Sequence, residues 1–151
     1  MNILGLNFDR EYVISRCIEL KSIVVNEDEF DTGARQKLNL GHTIGHAVEL
    51  QSNYSISHGQ AVAIGLSIVS KASSFHCYCE QSTSSVIVEL LKKFHLPTST
   101  FYSSNQLFST ALSDKKRSGE TINLIIPKKI GNCIIQPTPI EQLKTFIEEG
   151  L

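Results

Sequence analysis

Three histidines stand where they could share one cation. His42 and His46 are four residues apart in RQKLNLGHTIGHAVE. On a helix that spacing puts both imidazoles on one face, about one turn apart. His58 follows in SHGQAVAIG, after a polar loop and at the start of the next apolar run. A zinc protease uses the same His spacing, but it needs a Glu directly after the first His as general base. Thr43 occupies that place, so the protease reading loses its general base. Catalytic zinc sites use three protein ligands and one open position. His42, His46 and His58 could supply all three nitrogens, or two could ligate while the third moves protons. Spacing leaves both open. Gly41 and Gly45 flank the pair. A helix-interior glycine costs roughly 1 kcal/mol relative to Ala, so two of them imply that something approaches the backbone closely.

Polar residues lie just upstream. Lys21, Arg35, Lys37 and Asn39 precede the histidines. Read as one helix, Arg35, Asn39, His42 and His46 form a polar stripe opposite Leu38, Ile44 and Val48. A guanidinium is a planar fork suited to carboxylate or phosphate. The stripe therefore suits an anionic ligand beside a metal, or else a merely solvated helix face.

These side chains need elements to position them. Apolar residues from Tyr12 to Val24 recur with a helical period, and predict a helix over 9–25 with a broad buried face. Asn7 or Asp9 can cap it. NEDEFDTGAR reads as a loop, followed by a helix over 34–51. A third helix, 58–78, is apolar on most faces and should be central. Helices are expected over 84–94, stopped before Pro97, and over 105–114. TINLIIP, residues 121–127, reads as a strand. Lys128 to Gly131 turn it into a second strand over 132–136, and a helix over 140–149 closes the chain. The expected fold class is mainly α with one small β-hairpin. No strand precedes Gly41 or Gly45, so no dinucleotide-binding glycine motif is present.

Bulk properties narrow the field. The chain has 151 residues, 41% hydrophobic and 19% charged, with a net charge of -1. This length supports one domain with a real core. Near-neutral charge argues against a nucleic-acid partner. The absence of a long apolar run or a signal-like start argues against membrane insertion and secretion, so a cytoplasmic location is expected. Cys17, Cys77, Cys79 and Cys133 match no metal-knuckle spacing and read as free thiols.

The histidine segments closely resemble the signature of the 3-dehydroquinate synthases. That family's pattern is Arg-x-x-Leu-Asn-x-Gly-His-Thr-x-Gly-His-Ala-x-Glu, followed by His-Gly-Glu-Ala-Val-Ala-x-Gly. IELKSIVVNEDEFDTGAR and SDKKRSGETINLIIPKKIG resemble the flanking family segments, in the same order. The resemblance implies the helical C-terminal domain of a two-domain enzyme of the shikimate pathway. That enzyme converts 3-deoxy-D-arabino-heptulosonate 7-phosphate to 3-dehydroquinate and phosphate, with NAD as a transient oxidant and Zn2+ or Co2+ as Lewis acid.

Residue by residue, the resemblance implies His42 and His58 as metal ligands. His46 becomes a non-ligating histidine for acid–base work, with Asp31 as a proton acceptor. Lys21, Arg35, Asn39 and Lys115 (Lys116 being the alternative) would bind substrate. The third metal ligand, a Glu, and the NAD-binding domain would lie upstream of Met1. The 151 residues would then be inactive alone, with their own N-terminal domain and a second copy as partners. Two positions depart from the pattern. Asp31 replaces Glu, and Gln60 replaces a Glu expected beside His58 in the outer shell that orients it. A related sugar phosphate cyclase, such as 2-deoxy-scyllo-inosose synthase, or a helical interaction domain without catalysis are the competing expectations.

Overall fold

The structure, a computed structural model, describes residues 9–30, 33–114 and 120–151. Asn7, Asp31, Lys115 and Lys116 lie outside these residues. The chain divides into two compact units, residues 1–38 and 39–151.

In the first unit, α1 spans Arg10–Glu27. Asp9 caps it, its carboxylate accepting the Tyr12 N–H at 3.0 Å, which satisfies one of the donors a helix start leaves over. The helix lies where the apolar period predicts it. Its buried face does not materialise, since α1 contains no buried residue. Tyr12 and Ile18 are 64% and 61% exposed. Periodicity reports the local fold, whereas burial needs an element apposed to the apolar face. After α1, Asp28 Oδ2 accepts the N–H groups of Gly33 and Arg35 at 2.7 and 3.0 Å.

The second unit carries the core. A short 3-10 segment, Ala34–Asn39, leads into it across the unit boundary. Then come α2 (His42–Gln51), α3 (His58–Phe75), α4 (Gln81–Lys93) and α5 (Ser104–Asp114). An antiparallel hairpin of β1 (Thr121–Lys129) and β2 (Asn132–Pro139) follows, and α6 (Ile140–Gly150) ends the chain. The expected class, mainly α with one hairpin, is what the structure has. The strands run further than the sequence indicates. Lys129 pairs with Asn132, so only Ile130 and Gly131 remain in the turn, with Gly131 at φ +81°.

α3 is the central element, as its apolar faces predict, and packs against α2, α4, α6 and β1. Ile44, Val48, Ile64, Ile68, Leu107, Leu124, Ile126, Leu143, Phe146 and Ile147 form the main core cluster. Ser67, Ser70 and Ser73 are buried in the same helix, and each hydroxyl donates to a carbonyl, of Thr98, Ser67 and Val69 respectively. Burial of these polar groups is thus compensated.

The predicted single helix over 34–51 is broken. Gly41 has φ +79° and ψ -12°, a left-handed conformation that separates the 3-10 segment from α2. Arg35, Asn39, His42 and His46 therefore do not form one helical stripe. The break has a tertiary cause. A Cβ on Gly41 would lie 2.8 Å from the Leu66 backbone nitrogen, and one on Gly45 would lie 3.0 Å from Val62 Cα. A Cβ on Gly65 would come within 2.1 Å of the Gly41 carbonyl oxygen. What approaches the two glycines is the backbone of α3, with Gly65 facing them.

Candidate metal and active site

The glycine contact brings the N-terminal halves of α2 and α3 together, and with them the histidines. His42 opens α2, His46 follows one turn later, and His58 opens α3. The ring centroids are 5.5 Å apart for His42 and His46, 5.4 Å for His42 and His58, and 5.5 Å for His46 and His58. The three rings form a near-equilateral triangle, the convergence that their spacing in the sequence permits.

Second partners fix which ring nitrogen is available. His42 Nδ1 lies 3.2 Å from the Leu40 carbonyl oxygen. A carbonyl can only accept, so Nδ1 carries the proton and the Nε2 lone pair is free. His58 Nδ1 lies 3.1 Å from Glu49 Oε2. The same reasoning leaves its Nε2 lone pair free. Burial pushes the His42 imidazole below its ordinary pKa. The Leu40 carbonyl opposes this, the neighbouring His46 and His58 add to the lowering, and Glu49 opposes it. The net effect favours neutral imidazole, the form that binds a metal.

This donor set fits a borderline-soft divalent ion such as Zn2+ or Co2+. Among the described residues, the grouping whose ligand atoms all lie within 4.8 Å of one another is His46, Glu49 and His58, without His42. Glu49 is the residue the sequence reading left without a role. Its signal was available, since positions 42, 46 and 49 recur at i, i+4 and i+7 on one helix face.

Gln60, which stands where the family pattern has Glu, is engaged at the helix start. Its Oε1 accepts the Ser57 N–H at 3.0 Å and Ser57 Oγ accepts the Gln60 N–H at 3.3 Å, a closed capping box at the start of α3. Gln and Glu both serve that motif, so the change of residue is absorbed by the helix start. The carboxylate beside His58 is that of Glu49.

The remaining expected site residues are dispersed among the units. Lys21 is an exposed residue of α1, in the first unit. Arg35 is in the first unit as well, its guanidinium donating to the Glu29 carbonyl at 2.9 Å. Asn39 is exposed and begins the second unit, on the far side of the Gly41 turn from His42. Asp31 and Lys115 fall outside the described residues.

Comparison with known proteins gives the family and the fold. The family profile described as 3-dehydroquinate synthase C-terminal matches residues 5–117. The 3-dehydroquinate synthase of Streptococcus suis (strain 05ZYH33) is 37% identical over 140 residues, 91% of this chain and 39% of that protein. The one from Pelobacter propionicus is 40% identical over 138 residues, covering 90% and 38%. The chain thus spans about two fifths of the length of these relatives. Among solved structures, 2-deoxy-scyllo-inosose synthase complexed with carbaglucose-6-phosphate, NAD+ and Co2+ superposes with a TM-score of 0.79 at 26% identity, covering 93% of this chain and 41% of that one. The fold is shared too by 2-epi-5-epi-valiolone synthase from Streptomyces hygroscopicus subsp. jinggangensis 5008, with NAD+ and Zn2+ bound, at a TM-score of 0.78, 14% identity and coverage of 90% and 38%. Signature segments, helical fold and extent of match converge, and the chain belongs to the 3-dehydroquinate synthase C-terminal family.

Proposed function

We propose that this chain is the metal- and substrate-binding part of a 3-dehydroquinate synthase, acting in the cytoplasm on 3-deoxy-D-arabino-heptulosonate 7-phosphate to give 3-dehydroquinate and phosphate. The observation that carries the proposal is the triangle of His42, His46 and His58, with Nδ1 of two of them held by acceptors. His42 and His58 hold the metal through Nε2, and His46 carries protons to and from the substrate. Asp31 accepts a proton in the same role as the family's Glu. Lys21, Arg35, Asn39 and Lys115 bind the carboxylate and phosphate ends. A bound divalent ion supplies Lewis-acid polarisation of substrate hydroxyls.

Two histidines fall short of the three protein ligands a catalytic zinc site uses. The third ligand and the NAD site belong to an N-terminal domain in this reading, so the 151 residues are inactive alone and the full enzyme works as a homodimer. The test is turnover with NAD, Zn2+ and the seven-carbon sugar phosphate. The full-length protein should release phosphate and form 3-dehydroquinate, while the 151-residue chain should not. Substantial turnover by the chain alone would refute the division of labour.

A second reading is favoured by one observation. The superposition on 2-deoxy-scyllo-inosose synthase is good at 26% identity, so a different sugar phosphate could be cyclised on the same frame. Product analysis of the full-length protein with both substrates separates the two. The sequence relatives at 37–40% identity favour the dehydroquinate branch.

A further inference from the structure

We infer that Glu49 is a positioning residue for the metal site, holding His58 in the one tautomer and orientation that offers Nε2 to the ion. The inference rests on the metal reading above and adds a residue to it. Glu49 ends the polar face of α2 that begins with His42 and His46. Its Oε2 reaches His58 Nδ1 at 3.1 Å, across the junction between α2 and α3.

The need for such a partner follows from the surroundings of His58. It is the first residue of α3 and its side chain is 52% exposed. Little packing restrains the ring there, and water would satisfy either nitrogen. His42 differs, since it is more enclosed and the Leu40 carbonyl fixes its tautomer from its own backbone. His58 has to borrow its restraint from another helix. The Glu49 side chain is only 18% exposed, so its carboxylate is itself held in place. A carboxylate accepting the Nδ1–H of a metal-binding histidine also raises the basicity of Nε2.

The side chain of Glu49 is free to serve this purpose because the helix end does not depend on it. Ser52 Oγ and the Tyr54 N–H both donate to the Glu49 backbone carbonyl, at 2.7 and 3.1 Å. Substitution of the carboxylate leaves those contacts in place.

The experiment compares the wild-type chain with Glu49→Gln and Glu49→Ala. The His58 tautomer is read from long-range 15N–1H spectra of the metal-free protein at alkaline pH. Zinc affinity is read in the full-length protein and its two variants by competition with a chromophoric chelator, and thermal unfolding of the metal-free proteins is the control. Wild type should show His58 protonated at Nδ1. Glu49→Ala should shift it toward Nε2–H, with Glu49→Gln between the two. Zinc affinity should fall 10–100-fold, while metal-free unfolding temperatures stay together. An unchanged tautomer with unchanged affinity overturns the inference. Loss of zinc with an unchanged tautomer overturns it as well, and makes Glu49 a ligand alongside His46 and His58. If the full-length protein takes up no zinc, the metal reading fails, and the tautomer alone decides the role of Glu49.

Discussion

Two histidines of the second unit each face a carboxylate from another helix, and they sit in opposite kinds of surroundings. His58 faces Glu49 and shares its neighbourhood with the rings of His42 and His46. His76, just past the end of α3, faces Glu149 of α6. Its Nε2 is 2.5 Å from a buried Glu149 Oε2, an ion-pair contact without hydrogen-bond alignment. Its ring stacks with Phe146 and Tyr78 at centroid distances of 5.5 and 5.7 Å. A histidine–carboxylate pair is therefore not itself a site. With more imidazoles around it, the pair stands in a cluster of nitrogen donors; with aromatic rings around it, the pair ties two helices together.

The comparison breaks most visibly on zinc. His42→Ala or His58→Ala should lower zinc affinity by more than the roughly hundredfold that loss of an outer partner costs. His76→Ala should leave it unchanged. Chelator competition measures all three, and a comparable loss in His76→Ala would erase the distinction.

Backbone contact offers the next test, since the first pair depends on α2 and α3 touching at glycines. Gly65→Ala places a Cβ within 2.1 Å of the Gly41 carbonyl oxygen and 2.6 Å of the Gly45 nitrogen. Overpacking of this kind costs about 1–3 kcal/mol. The urea midpoint should fall and zinc affinity with it, because α2 must move. Gly59→Ala, with nothing within 4 Å, should be neutral or stabilise by a few tenths up to about 1 kcal/mol.

The second pair should register in stability instead. His76→Ala removes two ring stacks and a partly exposed ion pair. An aromatic contact is worth about 0.5–1.5 kcal/mol, and a buried oxygen stripped of its partner costs about 1–3 kcal/mol. A loss of about 1–3 kcal/mol is expected in chemical denaturation.

Acidity gives the smallest effect. The folded-state pKa of His42 lies below its ordinary value of 6.5, chiefly through burial. The unfolded chain therefore binds that proton first. The stability contributed by neutral His42 is complete above pH 6.5 and is lost as pH falls through the lower folded value. Urea midpoints measured from neutral to acid pH should decline less for His42→Gln than for wild type.

Much of this was legible in the sequence, and the parts that were not share a cause. The helices near 58, 84, 105 and 140 and the hairpin follow from local period and turn residues, which the chain states directly. The convergence of His42, His46 and His58 follows from an i,i+4 pair and a helix start. The break at Gly41 was hidden, because the apolar period runs through it and its cause is the α3 backbone. Glu49 was passed over because its partner is nine residues away, across a loop. The loss of a charge at Gln60 looked consequential beside His58, but the side chain closes the capping box of α3, and the carboxylate that reaches His58 is that of Glu49. The exposed apolar face of α1 repeats the lesson: pattern fixes a helix, and its surroundings are a separate matter.

The seam of Gly41, Gly45 and Gly65 also governs how this lineage can drift. The distance between the imidazoles is set where main chain meets main chain, with no side chain available to shrink or regrow in compensation. Selection should therefore hold those three positions rigidly, even against alanine, while an exposed neighbour such as Gly59 wanders. In a saturation library screened for folding, the columns of all three should be nearly blank.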